Sequence, residues 1–419
     1  MRTDELIRTN PERPADVDAA RLGRLKARRK IWLKVHCWLG LVLGFFLSIF
    51  GLTGSILVFH AEINELLNPA LLTVTPPQEG VSFRPLSELV DAGRRLMPAN
   101  AKHTFATYPR DERTALQLSY ALPVAGGGTE SWQVAVDPYT AQVIGKRLMN
   151  TSESLFPKPF IGFVFVLHYA LLLKGDLGGV LAGILGTLLI ISVLTGLIVW
   201  WPLTGKWRKA LTIKHKASAE RFNHDLHKTF GFYSAAVLAP VLFSGIYMNL
   251  PEHVAPVLEL FSPVTYRYWF RSVPIPGQEP ITMAEAVAIA ASLYPKGRPH
   301  WVYGAPGSTD TYTVCLDDVD RPGSMLQRVC VVMDRYTGEV LDLDDPAKSG
   351  AGEVFTHWQW PLHSGQAFGM TGRILVCLSG IACPLLFTTG VIRWSQKRRA
   401  RRRKFHNLPS PTVRAPKHG

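Results

Sequence analysis

His36-Cys37-Trp38-Leu39-Gly40-Leu41-Val42-Leu43-Gly44-Phe45-Phe46-Leu47-Ser48-Ile49-Phe50-Gly51-Leu52-Thr53-Gly54 lies at the head of 23 uncharged residues, Cys37 to Phe59. At 1.5 Å per residue such a helix crosses a hydrocarbon core of about 30 Å. It starts too far from Met1, runs too long and lacks a small-residue cleavage site, so it reads as a span and not as a removed signal peptide. Three more uncharged runs follow: Val180 to Trp201, about Thr229 to Met248, and Ile374 to Ile392. Pro240 and Pro384 fall inside two of them, which membrane helices tolerate as kinks. In 419 residues, 47% are apolar and only 19% charged, which excludes a disordered or fibrous chain.

The net charge of +14 raises the question of nucleic acid. Its distribution answers it. Residues 1–36, 203–228 and 393–419 hold 10, 7 and 10 Lys+Arg and only 7 acids together, a net of +20, and the remainder of the chain carries a net of −6. The positive-inside rule places those three segments in the cytoplasm, with both termini, and exposes 60 to about 175 and 249 to about 373 on the other side. The charge then marks the cytosolic face and its anionic lipids, with no nucleic-acid partner.

The opening stretch recurs. Gly40 follows His36 by 4 and Thr53-Gly54 by 17 and 18; Gly231 and Ser244-Gly245 follow His227 at the same distances. Likewise Leu167-His168 precedes Thr195-Gly196, and Leu362-His363 precedes Thr389-Gly390, with a Trp after each, at 200 and 394. Outside the spans, Glu88 lies ten residues before Pro98 and Glu285 ten before Pro295, each in an amphipathic helix stopped by proline. Val134-Ala135-Val136-Asp137-Pro138-Tyr139-Thr140 matches Val331-Val332-Met333-Asp334-Arg335-Tyr336-Thr337, a strand entering a turn, followed each time by a further strand. Each half therefore reads as helix, small α+β domain, helix, in two tandem repeats.

Of 13 histidines, His36 with His227 and His168 with His363 occupy equivalent places; His60 and His224 have no counterpart. A lone histidine near a helix end is usually an interfacial residue, so duplication sets these four apart. Imidazole in a membrane bundle is costly without a partner. His36 and His227 begin two helices at the cytoplasmic face, and His168 and His363 approach from the other. Two histidines on different helices give the axial ligands of a b-type haem, and two such pairs across a bilayer an electron wire. Gly40 and Gly231, one turn beyond their histidines, leave room for a macrocycle, with close helix packing as the other explanation. One helix from Phe160 to Trp201 would be about 60 Å long, so Lys174 to Gly179 is expected to break it; Gly365, Gly369 and Gly372 do the same after His363.

Other chemistries lack their spacing. There is no H-E-x-x-H, no P-loop and no G-x-G-x-x-G after a strand. The five cysteines include no C-x-x-C, which excludes a zinc ribbon and covalently attached haem. Cys315 and Cys330 flank a turn at Arg321-Pro322-Gly323-Ser324 whose midpoint sets them opposite each other. That leaves a cross-strand disulfide or two buried thiols. Cys37, Cys377 and Cys383 read as membrane packing.

The segments Val35 to Gly44, Leu52-Thr53-Gly54-Ser55, Asp225-Leu226-His227-Lys228 and Leu167-His168-Tyr169 together resemble the PepSY-associated transmembrane family, over about residues 25 to 400. This family includes iron-regulated inner-membrane proteins and ferric-siderophore reductases. The resemblance implies an α-helical bacterial inner-membrane protein with four transmembrane helices, two periplasmic PepSY-type domains and two non-covalent b-type haems. It also implies an oxidoreductase that reduces iron in a ferric siderophore, with the ligand role falling on His36, His227, His168 and His363. The organisation expected is a basic N-terminus (1–30), a first span (31–60), a first PepSY-like domain (61–159), an interfacial segment with the second span (160–201), a loop (202–226), a third span (227–250), a second PepSY-like domain (251–356), an interfacial segment with the fourth span (357–394), and a basic tail (395–419). Two features depart from the family: Cys37 stands where a basic residue is common, and no flavin domain follows Trp394, so the donor is a separate quinol or reductase. Trp132, Trp269, Trp301, Trp358 and Trp360 are candidates for a substrate rim, against the commoner role of interfacial anchoring. The competing functional reading is a non-enzymatic anchored module in which the PepSY domains bind a peptide, a protease or a signalling partner. Four spans are few for a transporter of the chelate.

Overall fold

The computed structural model describes residues 14–406 apart from 78–79, 126, 152–153, 155–158, 204, 215 and 320–327. The expected turn at Arg321 and the end of the basic tail lie outside these residues. The chain forms two compact units: Met1–Leu52 with Thr187–Ala239 and Ser379–Gly419, and Thr53–Gly186 with Pro240–Leu378.

Among the described residues, four helices are long and apolar enough to cross a membrane: α1 (Pro14–Leu57), α6 (Asp176–Trp200), α8 (Ala219–Asn249) and α12 (Gly369–His406). The expected limits change at their charged ends. His36 and His227 do not begin helices: α1 starts 22 residues before His36 and α8 eight before His227. Residues 19–30 are almost entirely Ala, Arg, Leu and Lys, strong helix formers that carry the helix beyond the apolar run, and Lys397–Arg403 does the same for α12. Pro240 and Pro384 sit inside continuous helices.

The break before α6 is present. A short helix α5 (Phe160–Ala170) carries His168 and ends where Leu171 and Leu172 take left-handed φ of 51° and 61°, followed by Gly175 at 66°. The break closes at Gly175, so Gly178 belongs to α6. A Cβ there would stand 2.5 Å from the carbonyl of Ala170, so glycine lets α6 start against the end of α5. The counterpart α11 (Ala351–Ser364) carries His363 and stops at Gly365, at φ 77°. Short helices α2 (His60–Leu67) and α3 (Pro69–Leu72) follow α1, α7 (Trp207–Leu211) precedes α8, and α9 (Pro251–Glu259) follows it.

Helix α4 (Leu86–Arg95) leads into β1 (Lys102–Thr107), β2 (Leu116–Pro123), β3 (Thr129–Val136) and β4 (Val143–Thr151). Helix α10 (Met283–Leu293), started by a capping box between Thr282 and Glu285, leads into β5 (Arg298–Tyr303), β6 (Tyr312–Asp317), β7 (Val329–Met333) and β8 (Val340–Asp344). Every pairing is antiparallel, and alternation puts Leu116, Leu118, Tyr120, Val134, Val314 and Val331 on one face beneath Leu89, Ala92, Ala286 and Ala290 of the two helices. The repeated Asp-x-Tyr-Thr turns share one set of bonds. Asp137 Oδ1 accepts from the amides of Tyr139 (2.8 Å) and Thr140 (3.3 Å), and Asp334 Oδ1 from those of Tyr336 (2.7 Å) and Thr337 (2.9 Å).

Each half contributes a helix and four strands to the region expected to hold its small α+β domain, and the two sets of strands join in one eight-stranded sheet, ordered β4-β3-β2-β1-β5-β6-β7-β8. The seam is β1 on β5, with Phe105, Ala106 and Thr107 opposite Tyr303, Val302 and Trp301. Two four-stranded sheets would each expose β1 or β5 as an open edge, and pairing them removes both. Cys315 pairs with Cys330 in register and the two are joined by a disulfide.

Candidate functional site

Each of the four duplicated histidines rests on the Thr-Gly or Ser-Gly step of another helix. On α1, His36 Nδ1 donates to the carbonyl of Ser192 (2.9 Å) beside the Thr195 hydroxyl (3.4 Å), and its Cε1 lies 2.9 Å from where a Cβ on Gly196 would stand. On α8, His227 Nδ1 donates to Leu386 O (3.1 Å) and meets Thr389 Oγ1 at 3.0 Å, with Cε1 3.4 Å from a Cβ on Gly390. The two ring centres are 6.2 Å apart at an interplanar angle of 65°.

The second pair repeats this with the helices exchanged. His363 Nδ1 donates to Val241 O (2.9 Å) and meets Ser244 Oγ at 3.1 Å, with Cε1 3.0 Å from a Cβ on Gly245. His168 Nδ1 meets Thr53 Oγ1 at 2.9 Å, with Cε1 3.1 Å from a Cβ on Gly54. Their ring centres are 5.9 Å apart at 66°.

These seats determine chemistry. A carbonyl only accepts, so Nδ1 of His36, His227 and His363 carries the proton and Nε2 of each neutral ring carries the lone pair. Thr53, Thr195, Ser244 and Thr389 are all buried, and Thr195, Ser244 and Thr389 also donate to a carbonyl of their own helix. A ring so held has its rotation and tautomer settled by a second set of groups, as metal-ligating imidazoles commonly do.

Around His36 and His227 lies a cavity of roughly 920 Å³, near the upper end of the usual cofactor range of about 300–1,000 Å³. Gly40, Gly44, Gly196, Gly231 and Gly390 are in its wall, and Leu47, Leu189, Leu238 and Leu386 form an apolar end. A Cβ on Gly40 would meet nothing within 4 Å, so this glycine borders open space, whereas Gly44 is pressed against Phe387. The packing explanation therefore holds for Gly44 and not for Gly40. The other end of the lining is basic, with Arg29, Lys34, Arg393, Lys397, Arg398 and Arg401, and includes no Asp or Glu among the described residues.

The geometry suits a metal shared between two imidazoles. With metal–nitrogen bonds of about 2.0 Å, two rings in line have centres roughly 6 Å apart, as both pairs do. No group of three or more His, Cys, Asp or Glu gathers among the described residues, so two imidazoles cannot complete a coordination shell by themselves. A group that brings its own four equatorial donors fits these residues, and a haem is such a group.

Helix α11 is fixed from the sheet side. Arg267 bonds Asp342 (2.6 Å) and Asp344 (3.1 Å) of β8 and Glu353 (3.0 Å) of α11, and His357 of α11 lies 2.8 Å from Asp344. The unduplicated histidines are elsewhere: His60 Nδ1 donates to Leu57 O (2.9 Å) at an exposed helix end, and His224 pairs with Asp225 at 3.4 Å beside the cavity. The tryptophans are dispersed, with Trp132 on β3, Trp301 on β5 under Arg328, Trp269 stacked on Tyr266, and Trp358 and Trp360 on α11. Sequence reasoning counted the Thr-Gly and Ser-Gly steps as marks of repetition without seeing that they seat the histidines; their fixed spacing was the available signal.

No curated protein matches the chain in sequence. The family model described as the PepSY-associated TM region matches residues 33–397, which takes in the apolar part of all four helices, the sheet and both histidine pairs. The chain is a member of the PepSY-associated transmembrane family.

Proposed function

We propose that this chain is a tandemly duplicated inner-membrane electron-transfer protein. It holds one b-type haem between His36 and His227 and a second between His168 and His363, and it reduces ferric iron in a siderophore-type chelate on the periplasmic side, for release and uptake. The observation that carries this reading is the fourfold repetition of one seat, in pairs with ring centres 6.2 and 5.9 Å apart. Charge supports the direction: the basic segments flank the His36–His227 end, which is the end the positive-inside rule favours for the cytoplasm. The ferric chelate as substrate rests on the family resemblance.

A haem iron held by two imidazoles takes up and returns one electron at a time. The four histidines are the residues that would hold the iron of each group. The carbonyls of Ser192, Leu386 and Val241 hold three of those rings in the tautomer that offers Nε2, and raise its basicity. Gly196, Gly245, Gly54 and Gly390 let the rings sit against helix backbone, which limits their movement between oxidation states. Reduction at the periplasmic end loosens the chelate, because ferrous iron is less charged and softer toward oxygen ligands. A quinol or a reductase is the electron donor proposed for this chain.

The test is stopped-flow spectroscopy of the purified, chemically reduced protein mixed with a ferric hydroxamate or catecholate. Reoxidation of the haem bands with one ferrous ion appearing per electron supports the reading, and bands unchanged by every ferric chelate offered would contradict it.

A further inference from the structure

The cavity beside His36 and His227 is asymmetric in a way the histidines do not explain. Its apolar end is made by leucines, its other end by basic side chains, and no Asp or Glu among the described residues belongs to the lining. Two of these cations already have partners: Arg29 donates to Val199 O, and Lys228 donates to Lys209 O (2.5 Å), Thr212 O (3.1 Å) and Asp225 (3.2 Å). Arg393 differs, since its Nε is buried with no hydrogen-bond partner. It stands three residues after Gly390, the seat of His227, so it projects from the same side of α12. A guanidinium nitrogen taken out of water without a hydrogen-bond partner is costly and marks a functional position. Its planar fork matches a carboxylate.

We infer that Arg393 anchors an acidic group of the ligand that His36 and His227 hold. This rests on the haem reading above, in which those groups are the two propionates. The cavity orients the ligand: the flat apolar body lies against Gly40 and the leucines, and the carboxylate edge lies toward Arg393 and the basic end. Arg393 is a binding residue for the propionate, and through its charge it favours the reduced, less positive state of that site.

The experiment is a spectroelectrochemical titration, with haem count per chain, of full-length wild type, Arg393→Gln, Arg393→Lys and Arg399→Gln, the last an exposed cation of the same helix outside the cavity. Arg393→Gln is expected to disfavour reduction of one haem about tenfold, roughly 59 mV downward for one electron. The other haem stays in place, Arg393→Lys recovers part of the shift, and Arg399→Gln changes nothing. Should Arg393→Gln lose that haem, the full-length chain made in haem-deficient cells is loaded with haem or its dimethyl ester: wild type preferring the diacid, and the variant taking both equally, supports the anchor. Two haems at wild-type potentials in Arg393→Gln would overturn the inference and leave the haem reading intact. The same potentials with loss of a co-purifying anionic phospholipid would also overturn it, making Arg393 a lipid contact. A wild-type chain without haem would overturn both.

Discussion

His36 Cε1 lies 2.9 Å from the point where a Cβ on Gly196 would stand, closer than carbon atoms approach without displacement. The ring is braced there by the Ser192 carbonyl of the same helix, so it cannot retreat and keep its hydrogen bond. The corresponding distances are 3.0 Å for His363 on Gly245, 3.1 Å for His168 on Gly54 and 3.4 Å for His227 on Gly390. These four distances rank the sensitivity of the seats.

Gly196→Ala and Gly245→Ala should each displace one ring and remove most of one haem, Gly54→Ala should weaken retention, and Gly390→Ala should keep both. Haem per chain, read with the unfolding temperature as a control for folding, checks the order. Equal loss in all four variants would mean that the seats act through helix packing and not through the rings.

The sheet contains a half-buried imidazole that reports on pH. His103 stacks on Tyr120 at 4.9 Å, and burial pushes its pKa down from the ordinary 6.5 to about 4, Arg94 adding to the shift and the Phe105 carbonyl opposing it. Because the folded value is depressed, its contribution is complete above pH 6.5 and is lost as pH falls through 4. Relative to His103→Gln, wild type should lose on the order of 3 kcal/mol of stability over that window. Melts of both proteins between pH 7.5 and 4 measure the difference, and parallel curves would show that the ring titrates normally.

The disulfide closes a loop with a sequence separation of 15 between β6 and β7. On loop-closure grounds it contributes about 3 kcal/mol. Reduction, or Cys315→Ser with Cys330→Ser, should accelerate amide hydrogen exchange in these strands by about two decades where exchange follows their opening. Unchanged protection after complete reduction would show that the ladder holds without the bond.

Arg267 compensates three carboxylates, and its side chain is 19% exposed. Arg267→Ala leaves Asp342, Asp344 and Glu353 facing one another, at a cost of about 2 kcal/mol after allowance for solvent. Since Glu353 belongs to the helix that carries His363, the loss should broaden the spectrum of one haem and spare the other. Stability and low-temperature spectra of the variant read both effects.

The sequence made some features legible because they follow from local chemistry. Uncharged length marked the helices, Gly365 and the polar turn before Asp176 marked the breaks, and the spacing of Cys315 and Cys330 about one turn set their register. Other features depend on what lies opposite. Alternation showed that β1 and β5 are strands, yet either edge could have met solvent, a helix or another strand. Ala, Arg and Lys around residue 25 carry both charge and helix propensity, and charge alone marks a tail where the propensity extends α1. Thr195-Gly196 carries no mark of a histidine seat until the helix bearing His36 is set beside it. Arg393 looked like the boundary of an apolar run, and its position on the cavity depends on helix phase.

The most direct test of the central claim is the reduced-minus-oxidised visible spectrum of the purified protein, with haem counted per chain, for wild type, His36→Ala and His168→Ala. The account predicts b-type bands with two haems in wild type and one in each variant, the survivor differing between them. Loss of both haems in each variant would contradict the pairing, and a haem-free wild type from haem-replete cells would contradict the account itself.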